Sequence, residues 1–233
     1  MNKGLNYSIL LAVVCIVLAT ANLLTGSVSI PASEVWNILF HGGSENSAWT
    51  YIIIQSRLPQ TITALLSGAA LATTGLLMQT SFSNPLAGPS ILGINSGAGL
   101  GVALVMLLLG GSLSIGTLQL GGCIAVIAGA LIGAFAVTTL ILMLASKMKS
   151  NVLLLIVGLM VGYLVSAIIS LLSSWSSAEG VQSFVSWGYG NFGGISLQQL
   201  PFYTVIIMAC LLASLTLIKP LNALLLGDNY AEN

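Results

Sequence analysis

Residues 57–101 read RLPQTITALLSGAALATTGLLMQTSFSNPLAGPSILGINSGAGLG, and their one charged side chain is Arg57, at the first position. The next charged residue is Lys147, so 89 consecutive residues carry no charge. This stretch is more than four times the ~20 apolar residues that span a bilayer once. Soluble proteins carry about 25% charged residues and do not expose so long an uncharged sequence. The sequence therefore predicts a membrane protein.

The composition of the whole chain agrees and excludes several classes of function. Charged residues make up 4% of 233, the net charge is zero, and the mean hydropathy is +1.05. A neutral chain gives no basis for nucleic-acid binding. Cys15, Cys123 and Cys210 stand singly in apolar runs, so we interpret them as packing residues and expect neither disulfides nor a metal site. No other cofactor is indicated.

The sequence also lacks the groups that an enzyme or a self-powered pump would need. The only histidine, His41, stands beside glycines in a loop, so no Ser–His hydrolytic pair is supported. No acidic, basic or histidine side chain lies in the middle of an apolar run, where ion-coupled transporters place their relays. The sequence contains no G-x-x-x-x-G-K-[ST] loop for a nucleotide. We expect a non-enzymatic chain whose energy comes from another subunit.

Apolar runs in lipid must be helical, because unpaired backbone groups cost several kcal/mol each there. The expected fold is an all-α, polytopic transmembrane bundle of about six spanning helices in a single domain, 1–233. Polar and Gly/Pro-rich breaks divide the chain into predicted helices near 5–25, 58–81, 91–110, 118–145, 151–173 and 199–219.

Two segments near the N-terminus need separate interpretation. Segment 28–40, within an extracytoplasmic stretch 26–56, is too short and polar to span, and it is predicted to be a surface-lying amphipathic helix opened by Pro31 and Ser33. Ala19-Thr20-Ala21 resembles a signal-peptidase site. Because five more apolar spans follow, we interpret the first run as an uncleaved helix, although cleavage within 1–21 stays open.

The lysines predict the orientation. If six helices alternate, Lys3, Lys147, Lys149 and Lys219 fall on one side, and the positive-inside rule makes that side the cytoplasm. The N-terminus is then cytoplasmic.

Small residues predict close packing of helices. Three GxxxG pairs, which let helix backbones approach closely, occur in the chain: Gly97/Gly101, Gly129/Gly133 and Gly158/Gly162.

The motifs within and after residues 57–101 resemble a known family, the FecCD-like permease subunits of bacterial type II ABC importers for iron–siderophore complexes, haem and cobalamin. The matching residues occur in the family's order and spacing: Arg57-Leu58-Pro59, 67–71, Gly75, Gln79, Asn84-Pro85-Leu86-Ala87, Pro89, Leu92-Gly93, 96–98, and more weakly 187–190 and 221–228. The resemblance implies a roughly ten-helix fold, of which this chain is expected to be a piece that stops in the coupling region.

The resemblance also implies partners and location. Such a subunit lies in the bacterial cytoplasmic membrane with a second permease copy or a paralogue. An ABC ATPase binds it on the cytoplasmic side, and a substrate-binding protein docks on the other. The start of the coupling region, 220–233, would use Gly227, Asp228 and Ala231 to contact the ATPase. The ligand could be a ferric siderophore, haem or cobalamin, and the sequence does not choose between them.

The resemblance assigns roles to three further groups of residues, each with a plainer alternative. Arg57 would be a docking charge for the binding protein, or a snorkelling interfacial anchor. The prolines at 85 and 89 must interrupt the helix, and the loop would form a cytoplasmic gate or be an ordinary turn. The residues of the fifth helix would line the pathway or pack in the core. The expected gate residues are Asn84, Pro85, Leu86, Asn95 and Ser96, and the expected lining residues are Gly158, Gly162, Tyr163, Ser166 and Ser170.

Two other classes of function are the alternatives to a transport subunit. An intramembrane enzyme would need a nucleophile with a base or a metal cluster, and the sequence offers neither. An inert or regulatory membrane fragment is the remaining alternative, and it draws its support from the expected truncation. The motifs favour the transport subunit.

Overall fold

The computed structural model describes residues 2–42, 46–90, 93–110, 113–115, 118–120, 122–145 and 151–225. Its helices, in chain order, are α1 (Asn2–Leu24), α2 (Ala32–His41), α3 (Ser47–Tyr51), α4 (Leu58–Ser81), α5 (Ile94–Ala103), α6 (Gly122–Ala145), α7 (Asn151–Trp175), α8 (Ala178–Gly188), α9 (Leu200–Leu215) and α10 (Ile218–Leu225). This arrangement confirms the all-α, polytopic class.

Three shorter features interrupt these helices. π-Helical turns at Ile52–Arg57 and Leu104–Leu108 follow α3 and α5, and a 3₁₀ turn occupies Phe192–Gly194. Two short strands, β1 (Leu113–Ile115) and β2 (Leu118–Leu120), pair antiparallel with Leu113 opposite Leu120. The helix predicted to begin near 118 therefore begins at Gly122, because the preceding residues pair as a strand instead.

Four helical segments within the described residues are long and apolar enough to cross a membrane: Gly4–Leu24, Ser47–Ser81, Gly122–Leu144 and Ile156–Trp175. α9 and α10 make a fifth span if the pair, bent by 47°, is counted as one. The third predicted span, 91–110, is the shorter apolar helix Ile94–Leu108. At 1.5 Å per residue it covers about 22 Å of a hydrocarbon core about 30 Å thick.

The end of the last predicted span also differs from expectation. The sequence suggested that Lys219-Pro220 ends the helix near 199–219. In the structure α9 ends at Leu215, and α10 begins at Ile218 after a break at Thr216 and Leu217. Pro220 is tolerated there because the N–H groups of a helix's first turn have no partner within the helix.

The chain folds into two compact units. The first comprises 1–73 and 191–220, and its buried core is Ile30, Val35, Ile38 and Ile53. Trp49 and Leu23 pack against this core, so α2 is attached to the end of α1 and to the turns that precede α4. A hydrogen bond of 2.6 Å joins the hydroxyls of Ser67 and Tyr203 within the same unit.

The second unit comprises 74–190 and 221–233. α5 packs against both α6 and α7, and one buried cluster contains Val137, Ile141 and Val165. α5 and α6 meet through the predicted glycine pairs. A Cβ on Gly97 would overlap the carbonyl oxygen of Gly133, and one on Gly101 would overlap that of Gly129. The small residues therefore do what their spacing predicted.

The outer surfaces of the helices are apolar. In the most apolar window of α1 no residue is buried, although leucine, valine and isoleucine dominate it. All three cysteines are also exposed, so their interpretation as packing residues was wrong for this chain. Exposed apolar helix surface of this extent is what lipid, rather than water, solvates.

Candidate functional site

The loop between α4 and α5 begins with a helix stop that uses an unusual residue. The N–H of Asn84 donates to the carbonyl of Gln79 (3.0 Å), and the N–H of Ser83 donates to that of Thr80 (3.1 Å). This pair of bonds is the Schellman motif, which needs a left-handed residue at the position of Ser83. Ser83 has φ = 46°, the one positive value at a non-glycine residue in the described chain. α4 therefore ends abruptly, before Pro85.

At the tip of the loop, the predicted gate residue Asn84 forms the turn, and the predicted gate residues Pro85 and Leu86 are exposed. The Asn84 side chain accepts a hydrogen bond from the Leu86 N–H (2.9 Å), and the Asn84 carbonyl accepts one from the Ala87 N–H (3.0 Å). Asn84 thus builds the turn. Ala87 is buried, whereas Leu86 is 73% exposed, an apolar side chain on a polar loop. Pro85 is exposed between them. Their gating role stays a prediction.

The return into α5 depends on Gly93. Gly93 is left-handed (φ = 68°), which favours glycine, and a Cβ there would lie 2.6 Å from Cδ1 of Ile141, so that side chain would have to shift. Ser96 follows one turn later and faces α7: a Cβ on Gly162 would lie 3.3 Å from the Ser96 hydroxyl. Asn95 is exposed. Of these two predicted gate residues, only Asn95 is openly accessible.

The predicted lining residues of α7 fall into two sets. Gly158 is buried, and Gly162 packs beside Ser96 of α5, so neither lies on the open side of α7. Tyr163 is 70% exposed, and the hydroxyls of Ser166 and Ser170 are also exposed. Both hydroxyls donate to carbonyls one turn earlier in their own helix, at 3.0 Å each. Tyr163, Ser166 and Ser170, the exposed α7 sector, present an uncharged surface on which both serine hydroxyls are already hydrogen-bonded.

Arg57 is placed where the sequence did not predict it. The side chain is 5% exposed, and its guanidinium donates to the carbonyls of Leu23 (2.9 Å), Leu24 (3.1 Å) and Val28 (2.5 Å). α1 ends at Leu24, so the cation satisfies carbonyl groups that a helix C-terminus leaves unpaired. The docking role predicted for Arg57 is not tested by this geometry, and stays a prediction beside the structural one.

Three residues that sequence reasoning missed support Arg57. A Cβ on Gly26 would lie 2.7 Å from Nη2 of Arg57, so glycine leaves room for the guanidinium. Thr61 donates to the Arg57 carbonyl (2.7 Å) and accepts a bond from the side-chain amide of Asn22 (2.8 Å). The only available sequence signal was Gly26, because glycine commonly follows the end of a helix.

An open cleft lies between α1 and α4. Its volume is about 220 Å³, and Cys15, Asn22, Gln60 and Thr61 are among its lining residues. Small-molecule sites usually measure about 300–1,000 Å³. This cleft is too small for a bulky chelate.

The last two predictions concern the ATPase-coupling residues and metal binding. The predicted coupling residues Gly227, Asp228 and Ala231, together with Lys147 and Lys149, lie outside the described residues. Among the side chains that the structure describes, no three of His, Cys, Asp and Glu come together as a metal-binding group would require.

Comparisons with known proteins give three concordant similarities. The sequence model of the FecCD transport family matches residues 11–233. The vitamin B12 import system permease protein BtuC of Salmonella paratyphi A and that of Salmonella newport are each 34% identical over 214 residues, which is 90% of this chain and 61% of theirs. A solved structure of a metal-chelate type ABC transporter, in an inward-facing conformation, is 27% identical, with a TM-score of 0.74.

The coverage of these similarities is unequal. The solved transporter matches 95% of this chain, and the match occupies 65% of that protein. In sequence, the chain spans about 61% of the length of the vitamin B12 permeases that it matches.

Proposed function

Because this chain belongs to the FecCD transport family, we propose that it is a membrane-spanning permease subunit of an ABC importer. The observation that carries this proposal is the family match over residues 11–233, which includes the α4–α5 loop and the exposed α7 sector. The similarity to a solved transporter over 95% of the chain supports it. On this proposal the chain performs no covalent chemistry, and ATP is hydrolysed on a partner.

The proposed ligand is a metal chelate of the cobalamin, iron–siderophore or haem class. Two observations support this class: the similar permeases import vitamin B12, and the similar solved structure is of metal-chelate type. The exposed α7 sector fits such a ligand. Its two serine hydroxyls are already bonded within the helix, so they offer weak contacts that a bulky ligand can leave.

The proposed assembly joins two permease subunits to a binding protein and an ATPase. A second permease copy, or a paralogue, encloses the pathway with this chain in the cytoplasmic membrane. A substrate-binding protein delivers the ligand from outside, and Arg57 is the proposed docking charge. A cytoplasmic ATPase drives the cycle and contacts the region of Gly227, Asp228 and Ala231. The loop with Asn84 and Leu86 forms the proposed inner gate, and the N-terminus is cytoplasmic.

A paired substitution on α7 tests the pathway. The assay is uptake of radiolabelled chelate by proteoliposomes that contain the permease, its ATPase and its binding protein. We expect S170W to abolish this uptake, because the indole would protrude from the exposed α7 sector into the pathway and block the ligand. The matched control is L171W, at the next position and also exposed, which points about 100° away around the helix. Equal uptake by the two variants would contradict the placement of the pathway.

A second measurement tests the class of ligand. Cobalamin, a ferric siderophore and haem are each offered to the same proteoliposomes with ATP, and an ATPase variant lacking its phosphate-binding lysine is the control. We expect ATP-dependent accumulation of one of the three. If none accumulates while the assembled complex hydrolyses ATP, the proposed ligand class is wrong.

A further inference from the structure

The interfacial helix α2 has three distinct faces. Val35 and Ile38 are buried in the core of the first unit. Trp36 and Phe40, one turn apart, are 60% and 65% exposed, and their ring centroids lie 4.2 Å from each other. Asn37 and His41 are exposed on the sector beyond this aromatic pair. Going around the helix, protein core is followed by aromatic surface and then by polar surface.

The position of α2 is fixed at the end of a membrane span. Ile38 and Val35 form one core with Ile53, in the π-helical turn that leads into α4, and Leu23 at the end of α1 packs against that core. α2 starts eight residues after Leu24, where the apolar α1 ends. The Trp36–Phe40 pair therefore stands at the level where the apolar span ends and the polar phase begins.

We propose that the Trp36–Phe40 pair is a lipid-binding surface, which inserts into the headgroup–acyl boundary of the bilayer and anchors α2 there. Both rings are apolar, and the indole of Trp36 adds one N–H donor. Aromatic side chains of this kind are enriched at the membrane–water boundary. An amphipathic helix that lies in the interface buries one flank about 5–10 Å into it.

The surroundings favour lipid over a protein partner as the occupant. The apolar window of α1 has no buried residue, and the loop after it exposes the apolar Val28, so the span next to α2 in the chain already presents the kind of surface that lipid solvates. The one acidic side chain of α2, the half-buried Glu34, lies on the polar sector, one turn before Asn37, and the aromatic flank of Trp36 and Phe40 carries no charged residue. A docking site for a soluble partner would gain orientation and specificity from such charges.

A single-tryptophan experiment tests the proposal. In the whole chain Trp49, Trp175 and Trp187 are replaced by Phe, and the protein is placed in phosphatidylcholine–phosphatidylglycerol vesicles with or without brominated acyl chains. We expect bromine to remove Trp36 emission and aqueous acrylamide to affect it little. The matched control combines W36F with N37W, which moves the indole about 100° around α2 onto the polar sector. Its emission should respond oppositely, to acrylamide and not to bromine.

Two outcomes would overturn the proposal. Quenching of Trp36 by acrylamide alone would place the pair in water, and protection from both quenchers would show that protein covers it. If the tryptophan replacements prevent folding, nitroxides on W36C and N37C answer the same question with Trp49, Trp175 and Trp187 kept and the three native cysteines replaced by alanine. Oxygen should relax the label at 36 more than that at 37, and a water-soluble nickel chelate should do the reverse; the opposite ranking refutes the lipid contact.

Discussion

At the scale of single residues, the buried guanidinium of Arg57 binds main-chain carbonyls of its own chain. Three main-chain carbonyls, from Leu23, Leu24 and Val28, accept its hydrogen bonds, and Gly26 gives it space. A planar fork can reach several carbonyls at once, whereas an ammonium group is a point charge on a flexible stem. The side chain thereby joins the end of α1 to the start of α4.

We predict that R57K, which keeps the charge, lowers the free energy of unfolding in detergent by about 2 kcal/mol, because hydrogen bonds to charged groups contribute about 1.5–3 kcal/mol each. R57A should cost more, because it leaves all three carbonyls without the cation. K219A, at an exposed lysine, is the control. If R57K unfolds like the wild type while R57E shows salt-sensitive loss of binding-protein docking, the docking role is the real one.

Ser83 gives a second residue-scale prediction, because it holds a left-handed conformation that glycine adopts at less cost. We expect S83G to raise the free energy of unfolding by about 1 kcal/mol, since left-handed backbone costs a non-glycine residue roughly 1–2 kcal/mol. The matched control is S81G, two positions earlier in α4. There glycine should destabilise by about 0.5 kcal/mol, the difference between the helix propensities of serine and glycine. Shifts of the same sign in both thermal melts would refute the assignment of the helix end.

At the scale of elements, sequence periodicity and composition predicted most helices but not their exact ends. α1, α4 and α7 lie where apolar runs predicted them, because hydropathy reports the phase that surrounds a helix. The span at 91–110 became shorter since the left-handed Gly93 starts α5 late and the chain leaves the helix at Leu109. α8 was not predicted at all. Its N-cap, Ser177, accepts a bond from the Gly180 N–H, a local signal that the long apolar runs obscured.

Sequence patterns also predicted only part of the candidate site. The GxxxG spacing predicted which helices pack closely, and the prolines predicted where α4 must stop. Neither feature reveals which side of α7 is left open, so Gly158 and Gly162 were grouped with Tyr163, Ser166 and Ser170 although they pack in the protein. The burial of Arg57 depends on carbonyls 29–34 residues earlier in the chain, which no local pattern encodes.

The α5–α6 crossing supplies an element-scale prediction. G101A and G133A should each lower the free energy of unfolding by about 1–3 kcal/mol or more, because the new methyl group meets opposing backbone that cannot move aside like a side chain. The matched control is G75A in α4, where a Cβ meets nothing within 4 Å. That change should be neutral or stabilising by up to ~1 kcal/mol, from helix propensity. Equal effects at positions 75 and 101, in thermal unfolding in detergent, would contradict the close crossing.

At the scale of the whole molecule, orientation in the membrane is the property on which every assigned partner depends. The lysine asymmetry predicts that α10 starts on the cytoplasmic side, and that α2 lies outside. Lys219 and His41 are both exposed, so cysteines placed there would be open to reagents in whichever aqueous phase they face. With Cys15, Cys123 and Cys210 replaced, we expect a membrane-impermeant maleimide to label H41C in intact cells, and K219C only after the membrane is opened. Labelling of K219C in intact cells would invert the topology. It would place the proposed ATPase contact and the Asn84–Leu86 gate on the outer face, where no ATP is available, and the importer assignment would fail with it.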